Sequence, residues 1–151
     1  MNAASEFSLR LGDWTHDGDA LRTIRRTVFV IEQGVPEALE WDDVDPICAH
    51  ALAFDRDANP IGCGRLLPDG HIGRMAVLAP WRGRGVGAAL LKLLVELARG
   101  KGHRRAILNA QTDAVPFYAR YGFVVTGDEF EEVGIAHRIM ERTLEITPES
   151  L

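Results

Sequence analysis

The chain has 151 residues, with 17 Lys+Arg against 22 Asp+Glu for a net charge of −5, and 46 % of it is hydrophobic. That suits one globular domain over 1–151, burying ~70 % of the surface its unfolded chain exposes, and excludes disordered, collagenous and coiled-coil classes. The acidic balance argues against a general nucleic-acid binder, no apolar run reaches the ~18 residues of a membrane span, and the N-terminus lacks a basic-then-apolar secretory pattern. Cys48 and Cys63 are too few for a disulfide scaffold and lack metal-site spacing, so a reduced, cytoplasmic protein with small apolar core cysteines is expected.

Phe7, Leu9 and Leu11 alternate with Ser8 and Arg10, the period of a half-buried strand. Asp17 or Asp19 is placed to cap a helix whose apolar positions Leu21, Ile24 and Val28 share one face, with Arg25-Arg26 as helix-end charges. Gly34 to Pro46 holds Pro36, Trp41, Asp42, Asp43 and Asp45 and reads as a long, solvated acidic loop that could attract a cationic ligand. It lacks the glycine and distant glutamate of a calcium loop, and the five histidines are scattered, so no metal is expected. Ala49–Phe54 and Ile61–Leu67 flank a turn-rich segment as a hairpin, and a third strand over His71–Leu78 stops at Pro80. A helix follows with Val86, Leu90, Leu93, Leu94 and Leu97 on its stripe, ended by Gly100 and Gly102. Ala106–Ala110 is a short strand, Pro116 starts a short helix through Tyr121, and Phe123–Thr126 with Phe130, then Ile135–Leu144, form a last hairpin. The order β-α-β-β-β-α-β-α-β-β is a mixed α/β layer on one sheet.

Chemistry concentrates in Arg82-Gly83-Arg84-Gly85-Val86-Gly87-Ala88, between the third strand and the long helix. A helix start offers unpaired N–H groups and partial positive charge, and glycines let that backbone curl closely around an anion. With two arginines beside it, the segment is a seat for a phosphate or pyrophosphate. A plain tight turn explains it less well, because three alternating glycines cost entropy without improving packing. No Gly-Lys-[Ser/Thr] follows, so it is no P-loop. Gly83, Gly85 and Ala88 satisfy a dinucleotide fingerprint, yet a hairpin precedes them and no acidic residue ends the next strand, which weakens an NAD-dependent oxidoreductase.

Arg82-x-x-Gly85-x-Gly87 resembles the [Q/R]-x-x-G-x-[G/A] loop of the GCN5-related N-acetyltransferases. Ala114-x-x-Phe117-Tyr118-x-x-x-Gly122-Phe123 matches a second signature of that family, A-x-x-[F/L]-Y-x-x-x-G-F, about 30 residues downstream. The resemblance covers nearly the whole chain. It is most like the ElaA-like branch, through Val28-Phe29-Val30-x-Glu32-Gln33, Ala110-Gln111 and Glu132-Val133-Gly134-Ile135-Ala136-His137. It implies an α/β (α+β) fold: a mixed, mostly antiparallel seven-stranded sheet flanked by about four helices and splayed at a cofactor slot. It also implies direct acetyl transfer from acetyl-CoA to a primary amine, releasing CoA. By matching positions, the backbone around Arg82, Gly83, Arg84, Gly85, Val86, Gly87 and Ala88 would hold the pyrophosphate. Met75, Ala76 and Val77 would pair with the pantetheine arm, and the N–H of Val77 would polarise the thioester. Many members carry Asn seven residues before the motif tyrosine; here Gln111 stands there, with a longer reach.

A primary amine has a pKa of ~10 and arrives charged, so something must take its proton while a donor meets the leaving sulfur. Tyr118 occupies the motif position for the donor. Glu32, at the end of the first helix, is the candidate base and acceptor contact, because an apolar surround would raise its pKa. His137, flanked by Ile135 and Ile139 at period two, reads first as a core or structural histidine and second as an acceptor contact, while Glu129, Glu131 and Glu132 read as solvated charges. A non-catalytic acyl-CoA-binding module is the rival from another class; it requires Tyr118→Phe and Glu32→Gln to change nothing. The acceptor is expected to be a small-molecule amine, with no nucleic-acid or membrane partner, and the residues leave a homodimer open.

Overall fold

The computed structural model describes residues 6–145. Strands β1 (Phe7–Gly12), β2 (Ala49–Asp55), β3 (Pro60–Leu66) and β4 (Ile72–Val77) form an antiparallel sheet in chain order. Strands β5 (Arg105–Gln111), β6 (Val124–Val125), β7 (Phe130–Glu132) and β8 (Ile135–Thr143) form a second sheet, with β8 between β5 on one side and β6 and β7 on the other. Because β6 and β7 are two pieces of one run along β8, counting them together gives the seven strands that the sequence suggests. Four helices flank them: α1 (Trp14–Arg25), α2 (Glu37–Glu40), α3 (Val86–Gly100) and α4 (Val115–Ala119).

The alternation of strand side chains sorts the core into two layers. Leu52 of β2 and Cys63 of β3 face α1 and pack with Leu21, Ile24 and Val28. Ala51 and Ala53 face the other way, under Leu90, Leu91 and Leu94 of α3. Both cysteines are buried and free, and burial pushes the Cys63 thiol up to about 12, as suits an inert core residue.

Helix α1 starts one turn earlier than the Asp17 or Asp19 cap expected. Asp13 is the N-cap, accepting from the His16 N–H at 2.8 Å. Asp17 instead holds Arg10 of β1 at 2.7 Å. Helix α1 runs on into a wide π-helical segment, Arg26–Glu32, where Gln33 N donates to Val28 O at 3.1 Å. Such segments re-aim side chains and are frequent at functional sites.

The acidic stretch is not a solvated loop. It folds as α2 and a 3-10 turn over Asp45–Ile47 and closes a buried ion network. Arg25, 1 % exposed, bonds Glu40 at 2.9 Å and Asp45 at 2.8 Å between the rings of Trp14 and Trp41. Arg65 bonds Asp45 and Asp42, each at 2.8 Å, and Arg74 pairs with Glu40 at 3.0 Å. Three arginines therefore balance three carboxylates, so Asp42 and Asp45 are not left to attract a cationic ligand. Arg25 is likewise no helix-end surface charge; the carboxylates folded over it remove it from water.

The two sheets meet at a narrow seam between β4 and β5. His71 bridges to Ile107 in parallel, and Ile107 N donates to Gly70 O at 3.1 Å. Gly70 has φ +96°, and a Cβ built there would lie 3.0 Å from the Arg105 carbonyl oxygen. Gly70→Ala is expected to cost about 1–3 kcal/mol through left-handed strain and backbone crowding. A lower urea midpoint at unchanged slope would show it; an unchanged midpoint would show that the seam tolerates a side chain.

Candidate active site

Beyond that seam the strands part. The β3–β4 ladder shifts register between Cys63 and Arg65, and Arg74 takes φ +49°. A bulge of this kind bends its strand, and here it accompanies the divergence of β4 from β5. The gap exposes one edge of β4. Leu78 N donates to Ile61 O at 2.9 Å, so the neighbouring Val77–Gly62 pair is the non-hydrogen-bonded kind. In an antiparallel ladder such a pair turns its N–H and C=O groups away from its partner. The C=O of Val77 indeed accepts from Arg82 Nε at 2.9 Å, and its N–H points to the same side, into the gap.

The glycine loop lies at the end of the same strand. A 3-10 turn over Ala79–Trp81 leads to Gly83 and Gly85 at φ +76° and +87°, and α3 starts at Val86. Nothing lies within 4 Å of a Cβ built at Gly83 or Gly85, so these glycines serve the backbone conformation rather than packing. Ala89 N makes the first helical bond, to Gly85 O at 3.0 Å. The N–H groups of Val86, Gly87 and Ala88 therefore precede the helical ladder and are free to hold an anion. Arg84 lies over the Trp81 ring at 4.9 Å. Arg82 is not simply a charge beside the anion seat, because its guanidinium holds Glu32 at 2.6 and 2.9 Å.

That contact also corrects the environment expected for Glu32. Its carboxylate is exposed and bonded to Arg82 rather than set in an apolar surround, and Arg82 holds it below the usual carboxylate range. A carboxylate so held is a weak proton acceptor near neutrality.

A cavity of about 400 Å³ occupies the gap and is lined by residues from both faces of the split sheet. On one face, Tyr118 of α4 packs against the α3 core layer, edge-on to Phe117 at 5.1 Å and Phe123 at 6.1 Å. Burial pushes its phenol up to about 12. The other face is set by register: Phe130 of β7, His137 of β8 and Gln111 of β5 stand in one row. They point away from α3, since Leu108 and Met140, one step out of phase, point toward it. Gln111 Nε2 donates to Gln33 Oε1 at 2.8 Å, linking β5 to the end of the π-helical segment across the gap. His137 is 7 % exposed, stacks on Phe130 at 5.8 Å and donates from Nδ1 to Ile135 O at 2.7 Å. Its Nε2 lies 3.8 Å from Glu132.

The structure thus gathers Met75, Gln111, Tyr118 and His137 on one cavity, with Ala76 and Val77 continuing β4 beside it. Gln33, Asn109 and Arg74 line it as well and are not singled out by sequence reasoning, and Glu132, expected as a solvated charge, also lines it while staying half exposed. Gln33 adjoins Glu32, and Glu132 sits in the hairpin that delivers His137, but only the register shows that Glu132 turns inward.

An antiparallel sheet continued through a seam into a splayed partner, with a glycine loop closing the splay, defines an acyltransferase architecture. A model of the acetyltransferase (GNAT) domain matches residues 29–144, and the chain belongs to this family of enzymes. It is 40 % identical to the uncharacterized N-acetyltransferase YjcF of Bacillus subtilis over 118 residues, 76 % of this chain and 84 % of the relative. Among solved structures it is similar to an acyl-CoA N-acyltransferase from Pseudomonas aeruginosa, with TM-score 0.82, 29 % identity and coverage of 91 % of this chain and 99 % of that one. Escherichia coli ElaA matches with TM-score 0.80 and 26 % identity over 90 % of this chain and 99 % of its own. A doubly wound dinucleotide fold is overturned by the strand order, because antiparallel strands, not a parallel crossover, precede the glycine loop. Among the described residues no helix is long and apolar enough to cross a membrane.

Proposed function

We propose that the chain transfers the acetyl group of acetyl-CoA to the primary amine of a small cytoplasmic acceptor by direct attack, without a covalent enzyme intermediate. The observation that carries this reading is the edge of β4 turned to the gap: the Val77 N–H faces it, just before the glycine loop, on the strand whose Met75 lines the same cavity as Tyr118. N–H groups from Gly83 to Ala88 would hold the pyrophosphate, with the charge of Arg84 beside them; the Arg82 N–H is taken by the Ala79 carbonyl at 3.2 Å and its guanidinium by Glu32. The backbone of Met75 and Val77 would pair with the pantetheine arm as an added strand does. Val77 would then direct its N–H at the thioester oxygen, where charge develops during attack. Gln111 offers an amide from the opposite wall, and Tyr118 offers a hydroxyl to the departing sulfur.

Melting curves with acetyl-CoA, CoA and NADH test the cofactor. At a hundred times its Kd a ligand adds about 2.7 kcal/mol, which raises the Tm of a domain this size by several degrees. Acetyl-CoA and CoA are expected to raise it and NADH to leave it unmoved. Stabilisation by NADH with none from CoA would overturn the reading.

A further inference from the structure

The acetyl-transfer reading leaves the proton of the incoming amine without an acceptor, since Glu32 is held by Arg82. We propose that His137 is the base that takes this proton, and that Glu132 docks the acceptor as an ammonium ion before it does so. The proposal rests on the acetyl-transfer reading and concerns the opposite face of the same cavity.

The tautomer is the first argument. The Ile135 carbonyl can only accept, so the His137 Nδ1 that it meets at 2.7 Å carries the proton. Nε2 of the neutral ring then presents a lone pair. The second argument is charge. Other ionisable groups line the same cavity: Glu40 from α2, Arg65 from β3, Arg74 from β4, His71 at the seam and Tyr118 from α4. Glu40, Arg65 and Arg74 are held within the buried ion network. Glu132, half exposed at the mouth, is the lining carboxylate that no arginine engages among the described residues, and it lies 3.8 Å from His137 Nε2. An ammonium group drawn to Glu132 arrives beside that lone pair.

The third argument is topological. Tyr118 belongs to the α3 face of the split sheet and His137 to the opposite face, and both reach the gap between them. Direct transfer needs that separation: the proton leaves nitrogen on one side of the carbonyl carbon while the sulfur departs on the other. In balance, one ammonium proton passes to Nε2 and on to water. The freed lone pair forms the C–N bond, the C–S bond breaks, and its electrons leave on sulfur. The second nitrogen proton, relayed through water and the Tyr118 hydroxyl, ends on the thiol.

Two probe amines of nearly equal shape separate a base from a structural residue. Ethylamine is charged at neutral pH, whereas 2,2,2-trifluoroethylamine, its nitrogen impoverished by fluorine, is not and needs no base before attack. In His137→Gln, transfer from acetyl-CoA to ethylamine is expected to fall about 100-fold or more, and transfer to trifluoroethylamine only a few-fold. Glu132→Gln is expected to raise KM for ethylamine alone. A retained Tm rise with acetyl-CoA certifies the fold of both variants. Equal losses for the two amines would overturn the proposal, as would imidazole nitrogen shifts showing an Nε2–H tautomer in the wild type, a readout independent of turnover. Failure of acetyl-CoA to bind the wild type would instead sink the acetyl-transfer reading itself.

Discussion

Arg25→Met is expected to destabilise the fold by about 3–5 kcal/mol, a third or more of the whole stability of a domain near the low end of the usual range. Methionine keeps the unbranched stem and fills much of the space, so the loss isolates the charge. Arg25 has its guanidinium on Glu40, on Asp45 and on the Glu40 carbonyl at 3.1 Å, and both carboxylates are as buried as it is. Removing it leaves three carboxylates to two arginines, one buried negative charge uncompensated, with Arg65 left to hold Asp45 and Arg74 left to hold Glu40. The adjacent residue supplies the control. Arg26 pairs with Glu37 at 2.8 Å while both side chains stay roughly half exposed, and Arg26→Met is expected to cost no more than about 1 kcal/mol. Urea unfolding of the two variants compares them directly; similar midpoints would mean that the network relaxes around its missing member. The effect extends to the site, because Glu40, Arg65 and Arg74 form one wall of the cavity.

Much of this architecture is legible in the sequence because its signals are local. Alternation in Phe7–Leu11, the heptad-like stripe of Val86 to Leu97 and the glycines after it depend on near neighbours, and each became the element expected. The acidic stretch is illegible for the opposite reason. Asp42 and Asp45 meet Arg65 from 23 and 20 residues away, and nothing in the spacing of Gly34 to Pro46 announces arginines arriving from two strands and a helix. Burial of charge is a tertiary fact, invisible until those partners are placed.

The site divides along the same line. The glycine loop is a contiguous backbone device, so seven successive residues suffice to mark it. Glu32 and His137 are side-chain questions, decided by what the fold brings opposite them. For Glu32 that is Arg82, 50 residues on, which turns an expected base into half of an ion pair. For His137 it is the register of β7, β8 and β5, which places Phe130 and Gln111 on either side. A period-two pattern tells that His137 shares a face with Ile135 and Ile139, but not that this face borders a gap between two sheets.

Tyr118→Phe is expected to lower kcat about 100-fold while leaving KM for acetyl-CoA nearly unchanged. The ring keeps its contacts with Phe117 and Phe123, so only the hydroxyl is lost. With the phenol at about 12 and a free thiol at ~8.5, outright proton donation to the sulfur runs uphill. The hydroxyl therefore acts first as a hydrogen-bond donor to the departing sulfur and then as a relay for the proton that nitrogen sheds. It stays protonated throughout the working range, so Tyr118 contributes no basic limb to the pH profile between about pH 6 and 10. The same shift has a stability consequence with a definite sign. A group that is neutral when protonated, and whose pKa rises on folding, contributes stability that is complete below its unfolded pKa of ~10 and is lost as pH climbs to about 12. Wild type should therefore lose more stability than Tyr118→Phe across that alkaline window, a comparison independent of turnover. If the variant shows the alkaline difference yet keeps full kcat, Tyr118 is buried as described but does not serve the sulfur, and the thiolate must take its proton from nitrogen through water alone.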